Sequence, residues 1–228
     1  MIAETGDSQD GATAPEEGAE QTEPAEVPRA RRRSKQKRNI GEETRCKLLD
    51  AARDLGEELP PPKITVETVA SRAGVSRATF YLYFEDKDDI YLELAREACD
   101  ILYSEASRSP ESVTPRDSIV SATRGYAEAL ARVKPVLRFL YAIAPSDERF
   151  GELLTSVRER FYLRIAGNLE RGIKQGDYRK LQVAETARAL GGMAEHLLVE
   201  ELLEGRLPPV EPAVEVVADI WYRAITAD

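Results

Sequence analysis

Residues 65 to 84, TVETVASRAGVSRATFYLYF, carry the signals for two short helices that meet at a tight turn. The first helix is marked by apolar residues at the spacing of one helical face, namely Val66, Val69, Ala70 and Ala73. Thr65 precedes them as a candidate N-cap. Gly74 follows them, where a left-handed backbone can end a helix at little steric cost. This part of the chain is therefore predicted to form a helix with defined ends.

The second helix begins two residues after Gly74, with Ser76 as its N-cap. Each helix also has a pair of apolar residues at the offsets of a hydrophobic staple, Ile64 with Val69 and Val75 with Phe80. Two capped helices of about eight residues, joined by a turn of three or four, match the spacing of a helix-turn-helix.

The second helix, predicted over residues 76–84, has two distinct faces. Phe80 and Phe84 lie four residues apart and are expected to face inward. The opposite face carries polar residues: Arg77, Thr79, Tyr81 and Tyr83. Hydroxyls can bond phosphate oxygens or base edges, and an arginine reaches either a guanine edge or a phosphate. Solvated residues on an ordinary helix are the alternative, but the whole set favours DNA contact.

A third helix follows, with Asp86 as its N-cap and apolar residues from Ile90 onward. Lys87 stands at its start, where a cation is unfavourable beside a helix N-terminus. A DNA phosphate would explain this lysine, and a flexible surface side chain is the alternative.

Residues 44 to 95 resemble the DNA-binding domain of the TetR family of bacterial transcriptional regulators. The resemblance is carried by TRCKLLDAARDLGEE, ITVETVASRAGVS and RATFYLYFEDKDDIYLEL. The family's Tyr-x-Tyr/His-Phe-x-x-Lys run stands here at residues 81–87. The resemblance over residues 44 to 95 covers about a quarter of the chain. Pro60, Pro61 and Pro62 stand where many relatives have a glycine-aromatic turn, which leaves the start of the second helix open.

The resemblance implies a role for each matching residue. Thr65 would touch a phosphate and Lys87 would bind the DNA backbone. Six residues would lie in or beside the major groove: Ser76, Arg77, Ala78, Thr79, Tyr81 and Tyr83. It also implies a dimer that reads a palindromic double-stranded operator.

Charge is segregated along the chain, although the net charge of −9 by itself argues against a nucleic-acid binder. Residues 1–28 hold eight acidic residues and no lysine or arginine, whereas residues 29–38 hold seven basic residues and no acid. We predict that residues 1–38 are a disordered acidic segment and a basic arm that becomes ordered on DNA. The acidic segment could compete with DNA for the arm, and a purely solubilising segment is the alternative. The expected arm contacts are Arg31, Arg32, Arg33, Lys35, Lys37 and Arg38.

Several classes of function find no support in the sequence. Cys46 and Cys99 form no Cys-x-x-Cys pair and His196 is the only histidine, so we expect no metal and no cofactor. We find no Gly-x-Ser-x-Gly and no phosphate loop, and we expect that the protein is not an enzyme. A membrane span needs about 18 consecutive apolar residues, and a secretion signal needs a basic start before an apolar core. Neither is present, so we expect a cytoplasmic protein without membrane contact.

The remainder of the chain is predicted to be helical, which makes the fold class all-α: a three-helix DNA-binding domain followed by a larger ligand-binding and dimerisation domain. Helices are expected near residues 88–107, 116–132, 135–143, 147–175, 182–204 and 211–226, with prolines, including Pro135, as breaks between them. The predicted domains are residues 1–38, 39–87 and 88–228. The last two helices have broad apolar faces, which fit either a homodimer interface or packing within the chain.

A central cavity among these helices would be the site of a small effector. The candidate lining residues are aromatic or soft, and ordinary core packing is the alternative for each: Tyr126, Phe139, Tyr141, Phe161, Tyr162, Met193 and Trp221. His196 could belong to the pocket or to the interface, and the interface is favoured.

We therefore expect a sequence-specific DNA-binding regulator, a homodimeric repressor that a largely apolar effector releases from its operator. One alternative is a dimeric constitutive or architectural DNA binder without a ligand. Another is an enzyme or partner-binding module with a relic helix-turn-helix.

Overall fold

The computed structural model describes residues 29–107, 114–200, 203 and 210–226 of the 228-residue chain. Within these ranges the backbone forms helices and turns without a strand, which confirms the all-α prediction. Residues 1–40 form one unit, of which only the helical backbone of residues 29–40 is described, and residues 41–228 form another. The acidic segment and the side chains of the predicted basic arm lie outside the described part.

The α-helices of the described ranges are α1 Arg29–Glu58, α2 Val66–Arg72, α3 Arg77–Phe80, α4 Lys87–Ala106, α5 Pro115–Ile143, α6 Glu148–Gln175, α7 Val183–Glu195 and α8 Val210–Ile225. A 3₁₀ turn at Pro61–Lys63 follows α1, and a π-helical turn at His196–Glu200 follows α7.

Helix α1 begins at Arg29, well before the start at residue 44 that the sequence indicated. The predicted arm is therefore helical in its backbone, which differs from the disordered segment that charge alone suggested. Arginine, lysine, glutamine and alanine are all good helix formers, and no proline interrupts residues 29–58.

Helices α1 to α4 share a hydrophobic core. Its members are almost fully buried: Leu48, Ala52, Ile64, Val69, Phe80, Phe84 and Ile90. Phe80 and Phe84 thus face inward as the sequence predicted. Exposed ion pairs join the same helices, such as that of Arg72 with Glu58 at 2.6 Å, and contribute little by themselves.

Helix α4 continues from this core and packs along α5. Gly125 lies at their crossing, where a Cβ atom would stand 2.9 Å from the backbone oxygen of Glu105. A larger residue would force the two helices apart, so the close approach requires glycine.

Helix α5 is continuous from Pro115 to Ile143, whereas the sequence analysis placed a break at Pro135. That prediction was wrong because packing outweighs the lost hydrogen bond: Val133, Val136 and Leu137 are buried on either side of the proline. Ala131 would have supplied the acceptor, and its position is exposed, so water can reach the carbonyl.

The last helices differ from prediction in two respects. Helix α7 ends at Glu195, and the chain continues as a π-helical turn where a helix to residue 204 was expected. Much of the apolar surface assigned to a dimer face is buried inside the chain. This holds for Leu190, Leu198, Val214, Val217, Ala218 and Ile225.

Candidate nucleic-acid interface and internal cavity

The predicted corner between the first two helices of the motif is confirmed in its details. The Thr65 side chain accepts a hydrogen bond from Thr68 N at 3.1 Å, and Thr68 Oγ1 accepts one from Thr65 N at 2.9 Å. This reciprocal capping box fixes the start of α2. Gly74 has a φ of 68°, the left-handed conformation in which other residues are strained. Val75 N then donates to Ala70 O at 2.9 Å and closes the helix end.

Helix α3 is shorter than the predicted helix over residues 76–84. Ser76 is its N-cap and accepts from Thr79 N at 3.0 Å. After Phe80 the chain continues in tighter turns, in which Leu82 N bonds Thr79 O at 3.2 Å and Tyr83 N bonds Phe80 O at 2.9 Å. Bonds of this shorter span are common where a helix ends.

The outer side of this segment is open to solvent. Ser76, Arg77 and Ala78 are exposed, and Tyr81 is 51% exposed. Thr79 and Tyr83 are half-buried, because Thr79 Oγ1 lies 2.9 Å from Ser76 Oγ and the Tyr83 hydroxyl lies beside Gly41 of α1. The six predicted groove residues therefore belong to one short segment with hydroxyls, a methyl group and a guanidinium at its surface.

Leu82 is an exposed apolar residue that the site prediction did not include. Its side chain is 79% exposed between the two tyrosines, although leucine is usually buried. Apolar contact with a thymine methyl is a standard use of such a side chain in the major groove. The signal in the sequence was a large apolar residue on the polar face.

Arg77 and Lys87 differ in their surroundings. A hydrogen bond with Tyr81, followed by the charge of Glu67, raises the pKa of Arg77. Its guanidinium is exposed and stays charged. Lys87 is ion-paired with Asp88, and its ammonium lies 5.1 Å from the centre of the Phe139 ring. Lys87 thus faces the protein, and a phosphate contact requires it to leave Asp88.

A cavity of about 530 Å³ lies among α4 to α8. Five of the seven predicted ligand residues line it: Tyr126, Tyr141, Phe161, Tyr162 and Trp221. Further apolar lining comes from Leu102, Leu130, Leu137, Val157 and Ile165. A volume of this size is typical of small-molecule sites.

Phe139 and Met193 lie away from the cavity. Phe139 is buried and stacks on Tyr91, while Met193 packs against the small core formed by α6, α7 and α8. The reason is helical geometry: Leu137 and Tyr141 are four residues apart on one face of α5, and Phe139 points to the opposite face. The alternative of ordinary core packing holds for these two residues.

A polar cluster stands on the cavity wall. The Tyr141 hydroxyl donates to Glu195 Oε1 at 2.7 Å, and Arg158 Nε donates to the same carboxylate at 2.8 Å. The bond to Glu195 raises the pKa of Arg158. Burial raises the pKa of the Tyr126 and Tyr141 hydroxyls, which therefore stay protonated. The cavity thus combines apolar walls with a few fixed polar groups.

Other predicted features were located as well. Cys46 is exposed and Cys99 is buried, both as thiols. His196 is exposed at the start of the π-helical turn. In the described ranges we found no group of His, Cys, Asp and Glu residues suited to a metal ion. None of the described helices has the length and apolar character needed to cross a membrane.

Comparison with known proteins places this geometry in context. A family model described as bacterial regulatory proteins, tetR family, matches residues 48–94. The regulator EthR of Mycobacterium tuberculosis is 26% identical over 207 residues, which cover 88% of this chain and 94% of EthR. The regulator YdeS of Bacillus subtilis is 30% identical over 154 residues, which cover 64% of this chain and 73% of YdeS.

A solved structure shows the same fold across most of the chain. A transcriptional regulator from Saccharomonospora viridis, crystallised in complex with choline, superposes with a TM-score of 0.68. The superposition covers 82% of this chain and 100% of that one, at 21% sequence identity.

Proposed function

This chain belongs to the TetR family of bacterial transcriptional regulators, and we propose that it is a homodimeric repressor released from a palindromic operator by a small, largely apolar effector. The proposed domains are a disordered acidic segment with a basic arm, residues 1–38, a helix-turn-helix DNA-binding domain, residues 39–87, and an effector-binding and dimerisation domain, residues 88–228. Helix α4 carries the proposal, because it begins directly after the exposed recognition segment and its C-terminal half lines the cavity through Cys99, Leu102 and Ala106.

The proposed operator contact is the surface formed by Thr65, residues 76–79 and residues 81–83. Its support is the exposure of hydroxyls, a guanidinium and one leucine on a segment held rigid by two N-caps. The basic residues Arg31, Arg32, Arg33, Lys35, Lys37 and Arg38 would add affinity by releasing counterions from phosphates. Lys87 would join them only after leaving Asp88.

Two recognition segments must be held one DNA turn apart to read a palindrome, so we propose a dimer. The proposed interface is the outer face of α8 together with α7. Val216 and Ile220 are 51% and 47% exposed on α8, opposite the face that packs inside the chain. Exposed apolar residues in such a row are typical of a homodimer interface.

The position of the cavity beside α4 supports control of DNA binding by an effector. Helix α4 is 20 residues long, or about 30 Å, so a small tilt at its cavity end displaces the recognition segment at its other end. A ligand that binds better to the tilted form lowers operator affinity by its differential affinity for the two forms. A cavity of this size argues against a constitutive binder without a ligand. The enzymatic alternative has little support, since the relatives reported above are transcriptional regulators.

The test starts from genomic footprinting with the full chain, which supplies the operator. Candidate ligands are then screened for release of the purified protein from that site. Ala122 lines the cavity, so Ala122→Trp should place an indole in it and obstruct the ligand, which keeps operator binding while weakening release. Ala131→Trp is the matched control, because Ala131 is exposed on the same helix. Equal release of both variants by the same ligand would refute this cavity as the effector site, and salt-insensitive binding without sequence preference would refute the operator assignment.

A further inference from the structure

Arg164 stands on the cavity wall with fewer acceptors than its guanidinium requires. Its Nη1 donates to the backbone oxygen of Tyr103 at 3.4 Å and to the hydroxyl of Ser107. Its Nε is buried and has no hydrogen-bond partner among the described residues. A buried donor without an acceptor costs free energy, more so on a charged group.

The other arginines near the cavity have acceptors of their own. Arg158 is paired with Glu195 at 2.7 Å. Arg171 donates to the side-chain oxygen of Asn168. Arg160, one turn before Arg164 on α6, is paired with Asp100 at 2.6 Å and does not line the cavity.

The cavity therefore has an excess of positive charge, centred away from the Glu195 cluster. Among the described residues its walls hold three arginines but two carboxylates, Glu195 and Asp177. Burial lowers the pKa of Arg164, as expected for a cation without a carboxylate beside it. Tyr103 and Phe161 face the guanidinium at 5.2 and 5.4 Å from their ring centres, which stabilises it only in part.

Around Arg158 and Arg164 the cavity also has an apolar wall. Arg158 and Arg164 are six residues apart on α6, or about 9 Å along its axis. Leu102, Val157, Phe161 and Ile165 line the cavity around this stretch. A ligand that lies along this wall needs an apolar body, and an anionic end would match the charge of Arg164.

We infer that the effector is an apolar acid, an alkyl or aryl carboxylate whose anionic end accepts hydrogen bonds from Arg164. This inference rests on the effector cavity of the proposed function and names its ligand class. Nε is buried in the structure, so a carboxylate in the cavity would reach it only after the guanidinium moves toward the cavity, and would then supply the missing acceptor. The apolar body displaces water from the leucine, valine and isoleucine walls.

The experiment compares three probes with the same chain length and different head groups: dodecanoate, 1-dodecanol and dodecyltrimethylammonium. Trp221 is the only tryptophan and lines the cavity, so its fluorescence reports binding directly. We expect dodecanoate to bind the full chain at least about tenfold more tightly than the alcohol, as hydrogen bonds to a charged group allow. The ammonium compound should bind more weakly than both.

Variants on α6 test whether Arg164 is the residue that makes the acid bind more tightly than the alcohol. Arg164→Gln should remove most of the advantage of the acid over the alcohol while leaving binding of the alcohol unchanged. Arg164→Lys should keep part of the advantage of the acid over the alcohol. Arg160→Gln, the matched control one turn away, should keep all of it. Circular dichroism of each variant confirms that helical content is unchanged.

The outcomes distinguish the proposed ligand class from the proposed effector role of the cavity. Equal binding of acid and alcohol, tighter binding of the ammonium compound, or an acid preference that survives Arg164→Gln would overturn the ligand class alone. The cavity would then still act as an effector site for another ligand. If none of the three probes binds, the ligand class is overturned, and the Ala122→Trp comparison decides separately whether the cavity is an effector site.

Discussion

Tyr91 of α4 and Phe139 of α5 stack face to face, with ring centroids 3.9 Å apart and planes within 6° of parallel. The Tyr91 hydroxyl also donates to the backbone oxygen of Ala52 in α1, and Lys87 lies over the Phe139 ring. Phe139 is flanked on α5 by Leu137 and Tyr141, which line the cavity. One aromatic pair thus joins the start of α4 to the helix that forms the cavity wall.

The stack should contribute more to stability than the hydroxyl does. Phe139→Ala should lower the free energy of unfolding by about 3–5 kcal/mol, because it leaves a cavity in a fully buried site. Tyr91→Phe keeps the ring and loses one buried hydrogen bond, for which we expect about 1 kcal/mol. Urea denaturation of the full chain measures both. Equal losses in the two variants would mean that the stack is not the dominant contact.

Two substitutions of Ser76 distinguish its role as a helix N-cap from a role in DNA contact. Ser76→Ala should cost about 1 kcal/mol of stability, since Thr79 N loses its acceptor. Ser76→Asp keeps a capping oxygen and therefore most of the stability, but it brings a negative charge toward the phosphates. We expect operator affinity to fall further in the aspartate variant than in the alanine variant, as measured by fluorescence anisotropy. The reverse order would place Ser76 away from DNA.

The outer face of α8 should control assembly. Ile220→Glu would place an uncompensated carboxylate in the proposed interface and should weaken dimerisation at least about tenfold. Leu163→Glu is the control, because Leu163 is 74% exposed on α6 and lies outside the last two helices. Analytical ultracentrifugation measures both variants. A dimer that survives Ile220→Glu and dissociates with Leu163→Glu would move the interface to α6.

The two thiols should differ sharply in reactivity. Burial, and then the charge of Asp100, raises the pKa of Cys99 to about 12, so almost none of it is thiolate at pH 8. Cys46 is exposed. A disulfide reagent at pH 8 should therefore modify one thiol per native chain quickly and the second only on unfolding. Cys46→Ser should abolish the fast phase, and a fast phase that persists in this variant would show that Cys99 is accessible.

The local elements of the DNA-binding part could be read from the sequence because short-range rules decide them. Thr65, Ser76 and Asp86 cap helices through bonds to residues three positions away, and Gly74 ends one by its own backbone freedom. The inward positions of Phe80 and Phe84 follow from helical spacing alone. Five of the seven residues predicted to line the cavity also do so.

Packing between distant segments decided the rest. Pro135 lies within a continuous helix because its neighbours are buried by other helices, an effect no local rule contains. Phe139 became part of a stack with Tyr91 rather than of the cavity, and Lys87 turned toward Asp88 and that same ring. The unsatisfied Nε of Arg164 likewise exists only where α4 and α6 meet. The sequence by itself determined the two capped helices that begin after Thr65 and Ser76 and the polar residues on the exposed side of the second, since these depend on residues a few positions apart. The tertiary structure decided which side chains reach the cavity and which charges remain uncompensated there, since burial and pairing depend on residues brought together from the whole chain.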